Sequence, residues 1–251
     1  MLGFSNTNPN GGSKGVSISD TFVSGNAGMF CLWNATAQSL LSSRDVPNNV
    51  YDEAARTATT CYMRGLSERL RIQTSSGRPW FWRRICFTYK QFIGARDTGE
   101  TPLNPEVFYI ATDEGISRQW LNLTINNSQG VIDFIRDLVF RGQEGIDWND
   151  VTVARADNRV ISVKYDKLMT IKSGNDNGTV RELKFFHRMN SNLIYDDDER
   201  GEGTTPRYNS TEAKPGMGNY YVLDIIQPGT GAGEADLMQI KSSSTLYWHE
   251  K

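Results

Sequence analysis

The chain has 251 residues, with 27 Lys and Arg against 29 Asp and Glu, two histidines and three cysteines. A formal net charge of −2 excludes the overall basic character of a protein drawn to nucleic acid by its total charge, so only local fields remain for that work. Cys31, Cys61 and Cys86 lack metal-ligand spacing and argue for a reducing compartment, and no stretch approaches the ~18 consecutive apolar residues of a membrane span.

The chain opens MLGFSNTNPNGG, rich in Gly, Ser and Asn, with neither the charged start nor the apolar run of a signal peptide. With little to bury, residues 1–25 are predicted to form an extended arm or loop ahead of one domain over 26–251. GMFCLWN (28–34) reads as a strand, and VYDEAARTAT (50–59) is a weak helix candidate. SERLRIQTSSG (67–77) alternates, with Leu70 and Ile72 on one face and Arg69, Arg71 and Gln73 on the other.

Next comes GRPWFWRRICFTYK (77–90). As a strand it places Phe81, Arg83, Ile85, Phe87 and Tyr89 on one face, which looks core-directed. Trp82, Arg84, Cys86, Thr88 and Lys90 take the other. GVIDFIRDLVFRG (130–142) is the clearest helix: its apolar residues recur every three to four positions, Ser128 stands ahead as a cap and Gly142 follows. VTVARA, VISVKYDKLMTIKS, TVRELKFFHRM, YYVLDII and LMQIKSSSTLYWH complete a set of about eight or nine strands, separated by turn residues such as SGNDNG and PGTGAG. No βαβ alternation, repeat or linker interrupts them, so a single antiparallel sandwich or barrel is predicted.

Catalytic chemistry is hard to place on this sequence. GGSKG (11–15) lacks P-loop spacing and has no strand pattern ahead of it that would make its G-x-S-x-G a nucleophile elbow, and His187 and His249 stand far apart. His187 reads as a hydrogen-bonded structural residue among apolar neighbours. YDDDERGEG (195–203) reads as a solvated loop rather than a calcium site, because adjacent residues on an extended chain point to opposite sides. No enzyme activity, cofactor or metal is expected.

Charge is unevenly spread. Between Cys61 and Glu100 lie eight basic residues against three acids, and residues 101–150 reverse this, with three arginines against eight acids. The Trp82–Arg84–Lys90 face, extended by Arg69 and Arg71 if the two strands pair, is a candidate surface for nucleic acid: indoles stack on bases, cations neutralise phosphates. The alternative is that Trp82 packs in a second apolar layer while the basic groups face solvent or the acids of 101–150. Asp113, Glu114, Asp147 and Asp150 are candidates for an outer surface or for pairing across a subunit boundary.

AARTATTCYMRGLSERLRI, WFWRRICFTYK, VKYDKLMTIKSGN, MNSNLIYDDDE, GMGNYYVLDI and the terminal LYWHEK, in that order over residues 30–251, resemble the coat proteins of genomoviruses, small circular single-stranded DNA viruses of fungi related to geminiviruses. The resemblance implies an eight-stranded antiparallel jelly-roll sandwich with long loops and one or two short helices. It implies self-assembly of about sixty copies into a T=1 icosahedral shell around the DNA, located in the virion and, during assembly, in the host nucleus. Arg69, Arg71, Trp82, Arg84 and Lys90 would then line the inner surface, Phe81, Ile85, Phe87 and Trp248 would belong to the packed core, and residues 94–120 and 195–216 would supply subunit contacts. Family members begin with an Arg- and Lys-rich arm, whereas Lys14 is the only basic residue here before Arg44, so such an arm is expected to precede Met1 in the natural protein. The alternative function is a monomeric jelly-roll module that binds a ligand such as a carbohydrate.

Overall fold

The strands are set by alternating or continuous apolar runs, and their bounds follow the turn residues between them. The computed structural model describes residues 1–41, 48, 55–93, 108–112, 115–126, 128–200 and 203–250. The described strands are β1 (Gly3–Thr7), β2 (Ser13–Ile18), β3 (Thr21–Ser24), β4 (Met29–Asn34), β5 (Thr60–Thr74), β6 (Trp80–Tyr89) and β7 (Ile110–Thr112). They continue as β8 (Gly115–Trp120), β9 (Ser162–Ile171), β10 (Val180–Ile194), β11 (Asp198–Arg200), β12 (Gly203–Thr205), β13 (Asn219–Pro228) and β14 (Leu237–Glu250). A 3-10 turn (Leu123–Ile125) and one α-helix, α1 (Gln129–Val139), stand between β8 and β9.

Two four-stranded antiparallel sheets, ordered β10-β5-β14-β3 and β4-β13-β6-β9, face one another. The chain crosses between them from β3 to β4, from β4 to β5, from β5 to β6, from β9 to β10, from β10 to β13 and from β13 to β14. This is the strand order of an eight-stranded jelly roll, the form of the predicted antiparallel sandwich that the resemblance implies. A smaller sheet, β2-β1-β8-β7, with β1 and β8 parallel, and the β11-β12 hairpin complete the architecture.

The two sheets are buried differently. Between them lie Leu70, Ile72, Trp80, Trp82, Met238 and Ile240, and further along Met63, Leu66, Cys86, Leu193 and Leu246. The other face of β4-β13-β6-β9 is covered by α1, whose Val131, Ile132, Ile135, Leu138 and Val139 pack on Leu32, Ile85, Phe87 and Leu223. β13 is therefore buried over Asn219–Ile226 without alternation, whereas β5 alternates, because none of the described elements lies over its second face. Each large apolar side chain so buried contributes about 1.5–3 kcal/mol.

Helix α1 forms where its periodicity predicts it. Ser128 occupies the cap position without a side-chain hydrogen bond, Phe140 turns extended, and Gly142 takes φ +83° where a Cβ would strike Asp147. Of the weak helix candidate 50–59, residues 50–54 lie outside the described residues, and 55–59 are not helical.

The N-terminal segment departs from its prediction. Ser5, Asn6 and Thr7 are buried, and Asn6 exchanges two hydrogen bonds with the backbone of Asn122, at 2.9 and 3.0 Å. β3 is already a strand of the sandwich, so a domain boundary at 25/26 falls one strand too late. Polar side chains that bond distant backbone leave no hydrophobic pattern to read. Among the expected core residues, Ile85 and Phe87 are fully buried, Trp248 is half-buried against the Met63–Leu246 cluster, and Phe81 is likewise only half-buried and absent from the cluster under α1.

Candidate nucleic-acid interface and the buried charge ring

Because consecutive strands β5 and β6 lie in opposite sheets, they do not pair; they face each other. The alternation that sends Trp82 and Arg84 away from Ile85 therefore sends them into the space between the sheets, not outward. Both side chains are fully buried, which overturns their expected role in contacting DNA.

Arg84 belongs to a closed ring of four charges. Its Nη1 donates to Glu68 Oε2 at 2.5 Å, and its Nε and Nη2 donate to Asp224 Oδ1 and Oδ2 at 2.7 and 3.1 Å. Arg118 closes the ring, donating from Nε to Glu68 Oε1 at 3.0 Å and from Nη2 to Asp224 Oδ2 at 2.6 Å. All four side chains have zero solvent exposure. Trp82 Nε1 and Ser244 Oγ donate the remaining bonds, to Asp224 at 2.8 Å and Glu68 at 3.2 Å. Aromatic rings line it: the Arg118 guanidinium lies 3.9 Å from the Trp120 ring centre and 4.4 Å from that of Trp33, and Arg84 lies 4.8 Å from Phe185.

Burial alone would push both carboxyls up, but the two guanidiniums more than offset it and hold Glu68 and Asp224 below the ordinary carboxylate range. Burial likewise works against the charged form of Arg84, and the facing Asp224 and Glu68 reverse it. His187, buried beside the ring and stacked on Phe185, is lowered to about 4 by desolvation and by Arg84, so it stays neutral near pH 7. The cysteines are buried thiols, with Cys31 and Cys61 pushed up to about 12 mainly by desolvation; as thiols they are unreactive.

Lys90 is drawn into a local clamp. Its Nζ donates to the carbonyls of Ala213, at 2.7 Å, and Pro215, tying the end of β6 to the loop before β13. Asp197, the middle residue of the aspartate run, holds the fully buried Arg56 in a two-pronged pair at 2.6 and 2.8 Å, so it is structural rather than part of a solvated loop. Asp147 and Asp150 accept backbone hydrogen bonds within their own loop; Asp113, Glu114 and residues 94–107 lie outside the described residues. Among the described residues, no group of three or more His, Cys, Asp or Glu is placed to hold a metal ion, and no helix is long and apolar enough to cross a membrane.

Arg69 and Arg71 remain, and both are exposed. They lie on the outer face of β10-β5-β14-β3, which no helix among the described residues covers. Register places Lys184 and Ser243 beside Arg69, and Glu182 and Lys241 beside Arg71. Arg188 continues the row opposite Gly65, and Lys241 is paired with Asp20 at 2.9 Å. The face thus carries five cations, Arg69, Arg71, Lys184, Arg188 and Lys241, with Glu182 the one acid on these three strands in phase with them. Phe186 and Tyr247 stand exposed among them.

The sequence held a signal for the ring. Glu68 falls between Leu66 and Leu70, Asp224 interrupts YYVLDII, and Arg84 sits between Trp82 and Cys86, each a charge in the apolar phase of a strand. A charge in that phase is buried, and a buried charge needs a partner. The basic row on β10 carries no such flag, because strands separated by more than a hundred residues become neighbours only by pairing. No protein-family model and no curated protein matches the chain.

Proposed function

We propose that this chain is the coat protein of a small single-stranded DNA virus of the genomovirus kind, about sixty copies of which close into an icosahedral shell around the genome. The observation that carries the reading is the asymmetry of the sandwich: one sheet lies under a helix and long loops, and the other is cationic and, among the described residues, bare. A shell around a polyanion needs such a subunit. Its cationic side turns inward to neutralise phosphates, while the helix and loops of the other sheet provide material for lateral and outer contacts. The six segments that resemble genomovirus coats point the same way. Arg69 and Arg71 keep the inner-surface role that the resemblance implies, Lys184 and Arg188 join them, and Trp82, Arg84 and Lys90 leave it.

Electron microscopy and light scattering on the purified chain test this. Closed particles of uniform size that protect single-stranded DNA from nuclease are the expected result. A chain that stays monomeric across concentration, with or without DNA, refutes the coat reading and favours a ligand-binding module.

A further inference from the structure

Three strands bring two aromatic rings together on the bare sheet. Gly65 of β5 lies opposite Arg188 of β10 on one side and Tyr247 of β14 on the other. A Cβ built on Gly65 would come within 2.6 Å of the His187 carbonyl oxygen and 3.0 Å of the Phe186 ring. Only a residue without a side chain leaves room for Phe186 to lie across β5. There the ring meets Tyr247, with centroids 6.4 Å apart and planes inclined by 49°. Both residues remain about half exposed, at 54% and 48%, although the inner face of the same sheet has a full apolar core. The strands are irregular at this point: register shifts between Arg188 and Ser191 on β10 and between Tyr247 and Trp248 on β14, and Arg64 Nη1 donates to Asn190 Oδ1 at 2.9 Å.

Along β10 the residues on this face run Lys184, Phe186, Arg188, so a cation stands about 7 Å from the ring in each direction. Arg69 lies beside Lys184. An apolar ring pair bracketed by cations matches a chain whose flat bases alternate with phosphates. A duplex, whose base faces are stacked inside, has nothing to offer the rings.

We propose that Phe186 and Tyr247 form a stacking platform for the bases of single-stranded nucleic acid, with Lys184, Arg188 and Arg69 meeting the phosphates on either side. This rests on the reading of the bare sheet as the face turned to the genome. Binding is sequence-tolerant because every base has a π-face, and it favours single strands over duplex.

The test is fluorescence anisotropy of labelled oligo(dT) and of an abasic strand of equal length, titrated with the full chain at concentrations where no particles scatter light. Phe186→Ala and Tyr247→Ala are expected to weaken oligo(dT) binding by about ten-fold, to leave abasic binding unchanged, and to keep the salt slope. Tyr247→Trp, which keeps a ring, is expected to retain affinity. Light scattering at higher concentration reports assembly separately. Variants that bind both strands like the wild type overturn the platform, and leave the coat reading standing if particles form. Variants that lose particles while keeping oligo(dT) affinity also overturn it, assigning the pair to a subunit contact.

Discussion

Arg84 and Arg69 lie on strands that face each other across the sandwich, yet they live in opposite worlds. Arg84 is sealed inside with Arg118, Glu68 and Asp224, every charge balanced and every exposure zero. Arg69 stands in water on the outer face of the opposing sheet, with Arg71, Lys184 and Arg188 for company. The residue type is the same; the phase along the strand differs. An arginine in the apolar phase is committed to structure, because its desolvation must be offset by fixed carboxylates. An arginine in the polar phase keeps its charge available to a partner. The ring also links β5, β6, β8 and β13 through directional bonds, and so specifies how the sheets are seated on one another in a way that apolar contacts do not.

The comparison breaks most visibly at Arg84. Arg84→Ala leaves Glu68 and Asp224 buried with half their counter-charge, and is expected to cost about 3–5 kcal/mol in urea denaturation. A loss below about 1 kcal/mol, the range of an exposed pair, means that the ring is solvated after all.

A smaller effect comes from pH. His187 is neutral in the fold down to about 4, while in the unfolded chain it takes up a proton below about 6.5. Stability from this group is therefore complete above pH 6.5 and falls as pH drops from 6.5 toward 4. The ring carboxylates, held low, hold their contribution through that window and lose it only below the ordinary carboxylate range near 4. Between pH 7 and 4.5 the wild type is expected to lose roughly 2–3 kcal/mol more than His187→Gln, as read from denaturation midpoints at the two pH values. Parallel curves for the two proteins mean that the imidazole is not desolvated.

The smallest stability effect belongs to the outer face. Arg69→Gln with Arg71→Gln is expected to change stability by less than about 0.5 kcal/mol. The same pair is expected to flatten the dependence of DNA affinity on salt by about 0.7 per cation removed. An unaltered slope removes the outer face from the interface and sharpens the question of what else meets the DNA.

Much of this was legible beforehand. The strands β4, β5, β6, β9, β10, β13 and β14, the amphipathic helix and the outward phase of Arg69 and Arg71 follow from local periodicity, whereas β1–β3 and β8 do not, and VTVARA (151–156), which reads as a strand, forms turns instead. Trp82 and Arg84 were misplaced because alternation tells which side chains share a face but not what covers it. β6 is sandwiched between the facing sheet and α1, so neither of its faces meets water between Trp82 and Thr88. Lys90 was misplaced because backbone carbonyls of Ala213 and Pro215, distant in sequence, take up its ammonium. The order of amino acids by itself determined which apolar-patterned segments become the central strands and which residues within each strand stand together, since these depend on neighbours one to four positions away. Only the tertiary structure decided that Phe186 and Tyr247 meet over Gly65, and that Glu68, Arg84, Arg118 and Asp224 close into a ring. Those juxtapositions depend on which strands lie side by side or face to face, and that is settled by burying the whole set of apolar faces at once.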